Sequence, residues 1–283
     1  MGSFDMYRLA TRVRPLRTGV FAAALLAAMT PAHAAWTLNM TEGVTSTSHE
    51  AYYLHMLVLW ICTVVGIAVF GVMIYAIATF RKSKGAVPAT FTHSNNAETI
   101  WTLIPTLILI YLAYATAPAL VNIEVTRNSE MTLKITGYQW KWQYEYVGQN
   151  YSFFSTLAST SNAARQLHSG LNPRDVENYL LDVDHPLVVP VGVKIRYVLT
   201  ANDVIHAWWV PAFSVKRDAV PGYMNEGWFK VDKVGVYRGQ CAELCGKDHG
   251  FMPIVVKVVE KAEFDAWLAA QKAGPATVTV AAN

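Results

Sequence analysis

Charge is scarce in this sequence of 283 residues: Asp, Glu, Lys and Arg together make up 15 %, whereas 53 % of the chain is hydrophobic. That is too little charge to cover a water-soluble protein of this size, so a membrane protein is the first expectation. Cysteine is scarce too. Three cysteines exclude a secreted module stapled by several disulfides, and the C-x-x-C-H signature of covalently attached haem is missing. There is no internal repeat. Aromatic residues are plentiful, at 12 %, which excludes a disordered chain.

The charge that is present lies unevenly. Arg8, Arg12, Arg14 and Arg17 precede an apolar run at 20–29, followed by Pro31 and the small-residue triplet Ala32-His33-Ala34. That order is expected of a secretory signal peptide over 1–34, cleaved near Ala34, and the run is too short to span a bilayer. Its removal takes away four arginines and one aspartate, leaving 19 basic and 19 acidic side chains. The formal net charge of +3 then vanishes, and with it any case for nucleic-acid binding.

Two long stretches without Asp, Glu, Lys or Arg follow. Each exceeds the roughly 20 residues that cross a hydrocarbon core, so membrane helices are predicted at 51–80 and 99–122, a helical hairpin. The connection 81–98 carries Arg81, Lys82 and Lys84 against Glu98, which by the positive-inside rule makes it a cytoplasmic loop. Segment 35–50 and everything after the second helix are then periplasmic. The expected location is a bacterial inner (plasma) membrane, multi-pass, in contact with lipid and with both termini periplasmic. Cys62, inside the first helix, reads as a packing residue.

Beyond the hairpin the hydrophobic period changes. Short alternating runs at 131–136, 140–146, 193–199 and 254–259 are rich in β-branched and aromatic residues and bounded by Gly, Pro and Asn, the pattern of an antiparallel all-β sandwich or barrel. This outer domain is placed at 123–272, with 16 basic and 16 acidic side chains. The stretch 152–178 reads as a loop excursion with one short helix. Phe264, Trp267 and Leu268 predict an amphipathic helix packed on the sandwich, and 273–283 a flexible tail.

Two of the three cysteines fall in Cys241-Ala-Glu-Leu-Cys245-Gly-Lys-Asp-His249-Gly-Phe-Met252. In an oxidising compartment an isolated pair at this spacing suits a disulfide. The added imidazole and thioether make the loop a soft donor set that favours copper, whereas zinc gains little from methionine. His206, at the head of His206-Ala-Trp-Trp209, is the candidate for a ligand from a neighbouring strand end, although a lone histidine there also suits a structural role. Trp140 and Trp142 alternate with polar neighbours and suit core or surface positions. Glu98 suits the first turn of a helix. His55, His168 and His185 have no partner pattern and receive no role.

The segments Asp203-Val-Ile-His206-Ala-Trp, Lys216-Arg-Asp-Ala-Val-Pro-Gly222 and the whole 241–252 loop resemble subunit II of cytochrome c oxidase. Gly137-Tyr-Gln-Trp140-Lys-Trp142-Gln-Tyr-Glu-Tyr146 and Glu98-Thr-Ile-Trp101-Thr-Leu-Ile-Pro105 are similar to further segments of that family, in the same order along the chain.

The resemblance implies a cupredoxin-like Greek-key sandwich holding dinuclear copper A. Bridging thiolates would come from Cys241 and Cys245, imidazoles from His206 and His249, a thioether from Met252 and the backbone carbonyl from Glu243. It implies that Trp140 is the electron-entry residue for reduced cytochrome c. The Glu243 carboxylate would share a magnesium or manganese ion with subunit I, and Glu98 would admit protons. A basic donor calls for an acidic dock, for which Glu145, Asp182, Asp184 and Asp203 are candidates. Electrons would pass to haem in subunit I, where oxygen is reduced to water and protons are pumped; no haem is expected in this chain. The competing readings are a solitary membrane-anchored copper-delivery protein, which has no need of Glu98 or the Trp140 segment, and a thiol–disulfide oxidoreductase, for which spacing and fold are unsuitable.

Overall fold

The computed structural model describes residues 39–273; the expected signal peptide and the tail beyond Ala273 lie outside the described residues. Two helices, α1 (Ser46–Thr79) and α2 (Asn95–Glu124), are long and apolar enough to cross a membrane. Both begin several residues before the apolar stretches that predict them, because each gains a polar, capped first turn. Thr45 accepts from the Ser48 backbone N–H at 3.0 Å while the Ser48 hydroxyl accepts from Thr45 N–H at 2.9 Å, a capping box that satisfies two orphan donors. Ser94 caps α2, and Glu98 stands in its first turn, as the sequence suggests. Cys62 is exposed on α1, so any packing it makes is outside this chain.

The outer domain is two five-stranded sheets. One has the order β3-β2-β1-β5-β8, from Tyr151–Ser155, Lys141–Tyr146, Met131–Tyr138, Ile195–Ala201 and Asn225–Phe229; the other has the order β4-β10-β9-β6-β7, from Leu187–Pro190, Pro253–Val259, Gly235–Cys241, His206–Val210 and Val215–Ala219. All four predicted runs are strands. The sheets are mixed rather than purely antiparallel: β1 pairs with β5 and β10 with β4 in parallel. Parallel neighbours need long crossovers, and the excursion at 152–178 belongs to one of them. That excursion also contains more order than a loop, namely β3, the short helix α3 (Ser159–Ala164) and a helical turn at Pro173–Asp175.

Strict alternation along β2 and β5 sends Trp142, Tyr144, Tyr146, Ile195, Tyr197 and Leu199 inward. Strand β10 is buried on both faces, because helix α4 (Lys261–Ala273) lays Phe264 and Leu268 against the core as predicted. The hairpin is anchored to the sandwich at both ends. Trp228 Nε1 donates to the Asn122 carbonyl at 3.0 Å, Lys194 Nζ to the carbonyls of Val125 and Arg127, and Arg217 pairs with Glu124 at 2.7 Å. The first two side chains add donors to carbonyls at and just beyond the C-terminal end of α2, where helical partners run out. On the other side Val44 and Thr45 bond the backbone of Ala212 and Phe213.

Candidate metal centre

Strand pairing assembles the site. Trp208 on β6 pairs with Cys241 at the end of β9, so His206, at the start of β6, faces the loop that follows Cys241. The loop turns back through a helical turn at His249–Phe251 and delivers Met252 to the start of β10. His206, Cys241, Cys245 and Met252 are all buried.

Six donors converge, four of them around the two cysteine sulfur atoms. The Cys241 and Cys245 Sγ atoms are 3.8 Å apart and unbonded. Cys241 Sγ lies 3.9 Å from His206 Nδ1 and 3.4 Å from the Glu243 carbonyl; Cys245 Sγ lies 3.5 Å from both His249 Nδ1 and Met252 Sδ. His206, Cys241 and Cys245 alone place their ligand atoms within 4.8 Å of one another. Thiolate, imidazole and thioether in a buried cage are a set that copper fits and that hard cations do not.

The electrostatics separate the two thiols. Burial alone raises Cys241, but hydrogen bonds to His206, to the backbone of Ala207 and Glu243 and to Cys245 bring it below the ordinary thiol value. Cys245 is pushed up to about 12, by burial first and then by the charge of Cys241. A metal binding both as thiolates must displace that remaining proton. Burial lowers His206, yet its bonds to Cys241 and Asp203 outweigh this and leave it raised. Asp203 accepts from Gln139 N–H at 2.7 Å and lies 2.9 Å from His206 Nε2; against the effect of burial, these bonds hold its carboxyl below the usual range. Asp203 therefore fixes which imidazole nitrogen faces the sulfur.

Residues 131–259 match the family described as the periplasmic domain of cytochrome c oxidase subunit II, and residues 33–118 match the corresponding transmembrane domain. The chain belongs to the cytochrome c oxidase subunit II family. Among relatives of subunit II, the probable cytochrome c oxidase subunit 2 of Rickettsia bellii is 38 % identical over 237 residues, covering 83 % of this chain and 84 % of that one. Cytochrome c oxidase subunit 2 of Cereibacter sphaeroides is 37 % identical over 235 residues, covering 80 % and 77 %. A crystal structure of the periplasmic domain of subunit II of the cytochrome oxidase of Bradyrhizobium japonicum is 44 % identical, covers 52 % of this chain and 97 % of that one, and superposes with a TM-score of 0.46. This subunit II is thus part of an oxidoreductase, with a donor cluster suited to copper A.

The remaining expected residues of subunit II are distributed as follows. Trp140 is half-buried, and its Nε1 donates to the Cys245 carbonyl at 3.1 Å. The Glu243 side chain is exposed while its carbonyl turns inward. Glu145 pairs with Lys134 at 3.7 Å, Asp182 with Arg238 at 3.9 Å, and Asp184 caps Thr156. Lys247 stands 5.5 Å above the Trp140 ring, so the surface there is not uniformly acidic. Glu98 lies at the far end of α2 from the sandwich, beside Thr99, Thr102 and Thr106.

Three further residues support the ligands of subunit II, of which only Trp142 carries an expectation from the sequence, as a core or surface aromatic. Gln139 Nε2 donates to the Cys245 carbonyl at 2.8 Å and Trp142 Nε1 to the Met252 carbonyl at 3.3 Å. Gly137 is the third, and a glycine inside a strand is a signal of close approach. A Cβ there would lie 2.9 Å from His206 Cδ2 and 3.0 Å from its Cγ. Gly137→Ala is therefore expected to displace the fully buried His206 ring at a cost of about 1–3 kcal/mol. Thermal unfolding and copper retention of the variant check this; a parent-like result for both would show that the ring yields freely.

Proposed function

We propose that the loop 241–252 and His206 hold dinuclear copper A and that this chain is the electron-entry subunit of its oxidase. Cys241 and Cys245 act as bridging thiolates, His206 and His249 as imidazole ligands, and Met252 and the Glu243 carbonyl as weaker donors. The observation that carries this is the convergence of four further donors on two unbonded, buried cysteine sulfur atoms. When bound, copper A supplies a one-electron couple between reduced cytochrome c and haem in subunit I, where oxygen is reduced to water as protons are pumped.

Trp140 is the entry residue in this reading, since its indole N–H is hydrogen-bonded to the backbone of a ligand residue. The buried cage excludes water and restrains both sulfur atoms. Glu145, Asp182, Asp184 and Asp203 contribute to the donor dock. Each already has a local partner, so each adds little individually, and salt weakens the sum. The outward Glu243 carboxylate suits an oxygen-liganded magnesium or manganese ion shared with subunit I, and Glu98 a proton entry at the opposite face. No haem is assigned to this chain.

For topology, the proposal is a signal peptide at 1–34, cleaved near Ala34, a periplasmic segment at 35–50, and membrane helices at 51–80 and 99–122 joined by a cytoplasmic loop at 81–98. The copper domain at 123–272 and the tail at 273–283 are periplasmic, on a bacterial inner membrane. Metal analysis of the full-length chain purified with its accompanying subunits tests the reading. Two coppers per chain, a mixed-valence spectrum and co-purifying haem are expected; one copper, or a Cys241–Cys245 disulfide in the isolated protein, overturns it.

A further inference from the structure

The excursion between β3 and β4 reaches the metal loop through one side chain. Arg165, immediately after α3, points Nη1 at Asp248 Oδ1 (3.2 Å) and Nη2 at Asp248 Oδ2 (3.5 Å), and its Nε donates to Asn162 Oδ1 at 2.8 Å. The same guanidinium lies 4.3 Å from the centre of the Phe251 ring. Asp248 directly precedes the ligand His249, and Phe251 directly precedes the ligand Met252. One planar cation thus grips the residue before each of the last two donors, combining a two-pronged carboxylate pair with stacking on an aromatic face. About a quarter of each of the Arg165 and Asp248 side chains is exposed, so solvent screens this pair less than an open surface pair.

The clamp has a firm base. Ser161 is fully buried and accepts from Leu180 N–H at 3.1 Å, Ala158 N–H donates to the Asp182 carbonyl at 3.0 Å, and Leu157 bridges to Val183. These contacts tie the two arms of the excursion to each other, Asp182 links it to Arg238 of β9 at 3.9 Å, and Arg165 is its point of contact with the loop.

We propose that Arg165 is a positioning residue that sets the placement of His249 and Met252 around Cys245 through Asp248 and Phe251, an inference that rests on the copper reading above. Lysine at this position keeps the charge but loses the fork and the flat stacking surface, so Arg165→Lys gives only partial rescue of Arg165→Gln. Asp248→Asn reproduces most of the Arg165→Gln effect, and the double variant is little worse than either single one, because both remove the same contact.

The test uses the full-length chain with its co-purifying subunits and reads copper content, copper release to a chelator and the electron paramagnetic resonance spectrum. Arg165→Gln is expected to retain copper, release it roughly 10- to 100-fold faster, as for loss of other groups that orient ligands, and alter the spectrum. Arg174→Gln, which removes an exposed arginine of the same excursion at the turn Pro173–Asp175, is the control and is expected to leave the spectrum unchanged. A parent-like Arg165→Gln, or an Arg174→Gln variant that changes the spectrum equally, overturns the inference while the copper reading stands. A parent chain without copper overturns both.

Discussion

Replacing Cys245 with serine is expected to leave the full-length chain with essentially no bound copper. Cys245 Sγ is the hub of the cluster, within 3.8 Å of the Cys241, His249 and Met252 donor atoms. A serine hydroxyl is a hard donor that stays protonated at neutral pH, so it replaces neither the softness nor the charge of the thiolate. The hydroxyl would also be buried, at a cost of about 1–3 kcal/mol if it finds no partner. Copper content is therefore read beside a folding measurement on the same preparation. Copper at the parent level in Cys245→Ser would end the bridging assignment.

The second large effect is expected at Trp142, through stability rather than ligation. Its side chain is fully buried, its ring meets the His206 imidazole edge-on at 5.9 Å, and its indole N–H reaches the Met252 carbonyl. Trp142→Ala leaves a cavity beneath two ligands and is expected to cost about 3–5 kcal/mol. Trp142→Phe keeps most of the volume and isolates the lost hydrogen bond, worth about 1 kcal/mol. Thermal unfolding of both variants before copper loading separates packing from metal binding. An alanine variant no less stable than the phenylalanine one would refute the packing argument.

The donor loop was legible because its donors lie within twelve residues, so the sequence spacing nearly is the spatial arrangement. His206 was legible for a related reason: a strand start flanked by bulky apolar residues has few other uses for an imidazole. What surrounds these ligands was not legible. Gln139 and Trp142 act from the other sheet, across more than a hundred positions, and no local period announces such a contact. Trp142 read as an ordinary alternating aromatic. Arg165 follows the one short helix expected at 152–178, but the weak periodicity of that stretch concealed β3 and gave no sign that the excursion reaches the metal loop. Asp203, expected only as a docking acid, lies 2.9 Å from His206 Nε2, a contact its three-residue spacing to His206 allows but does not announce. Parallel pairing of β1 with β5 was hidden as well, because alternation reports which face is buried and not the direction of the neighbouring strand.

The joint between the hairpin and the sandwich has a bearing on electron delivery. Trp228, Lys194 and Arg217 hold the end of α2, while Val44 and Thr45 tie the start of α1 to the turn Pro211–Phe213 between β6 and β7. Two separate attachments remove the swivel that a single linker would permit. The sandwich is therefore tied to the hairpin at two places rather than by one linker. Tunnelling rates fall exponentially with distance, so a doubly tied mount would narrow the range of gaps across which the proposed copper centre passes its electron on.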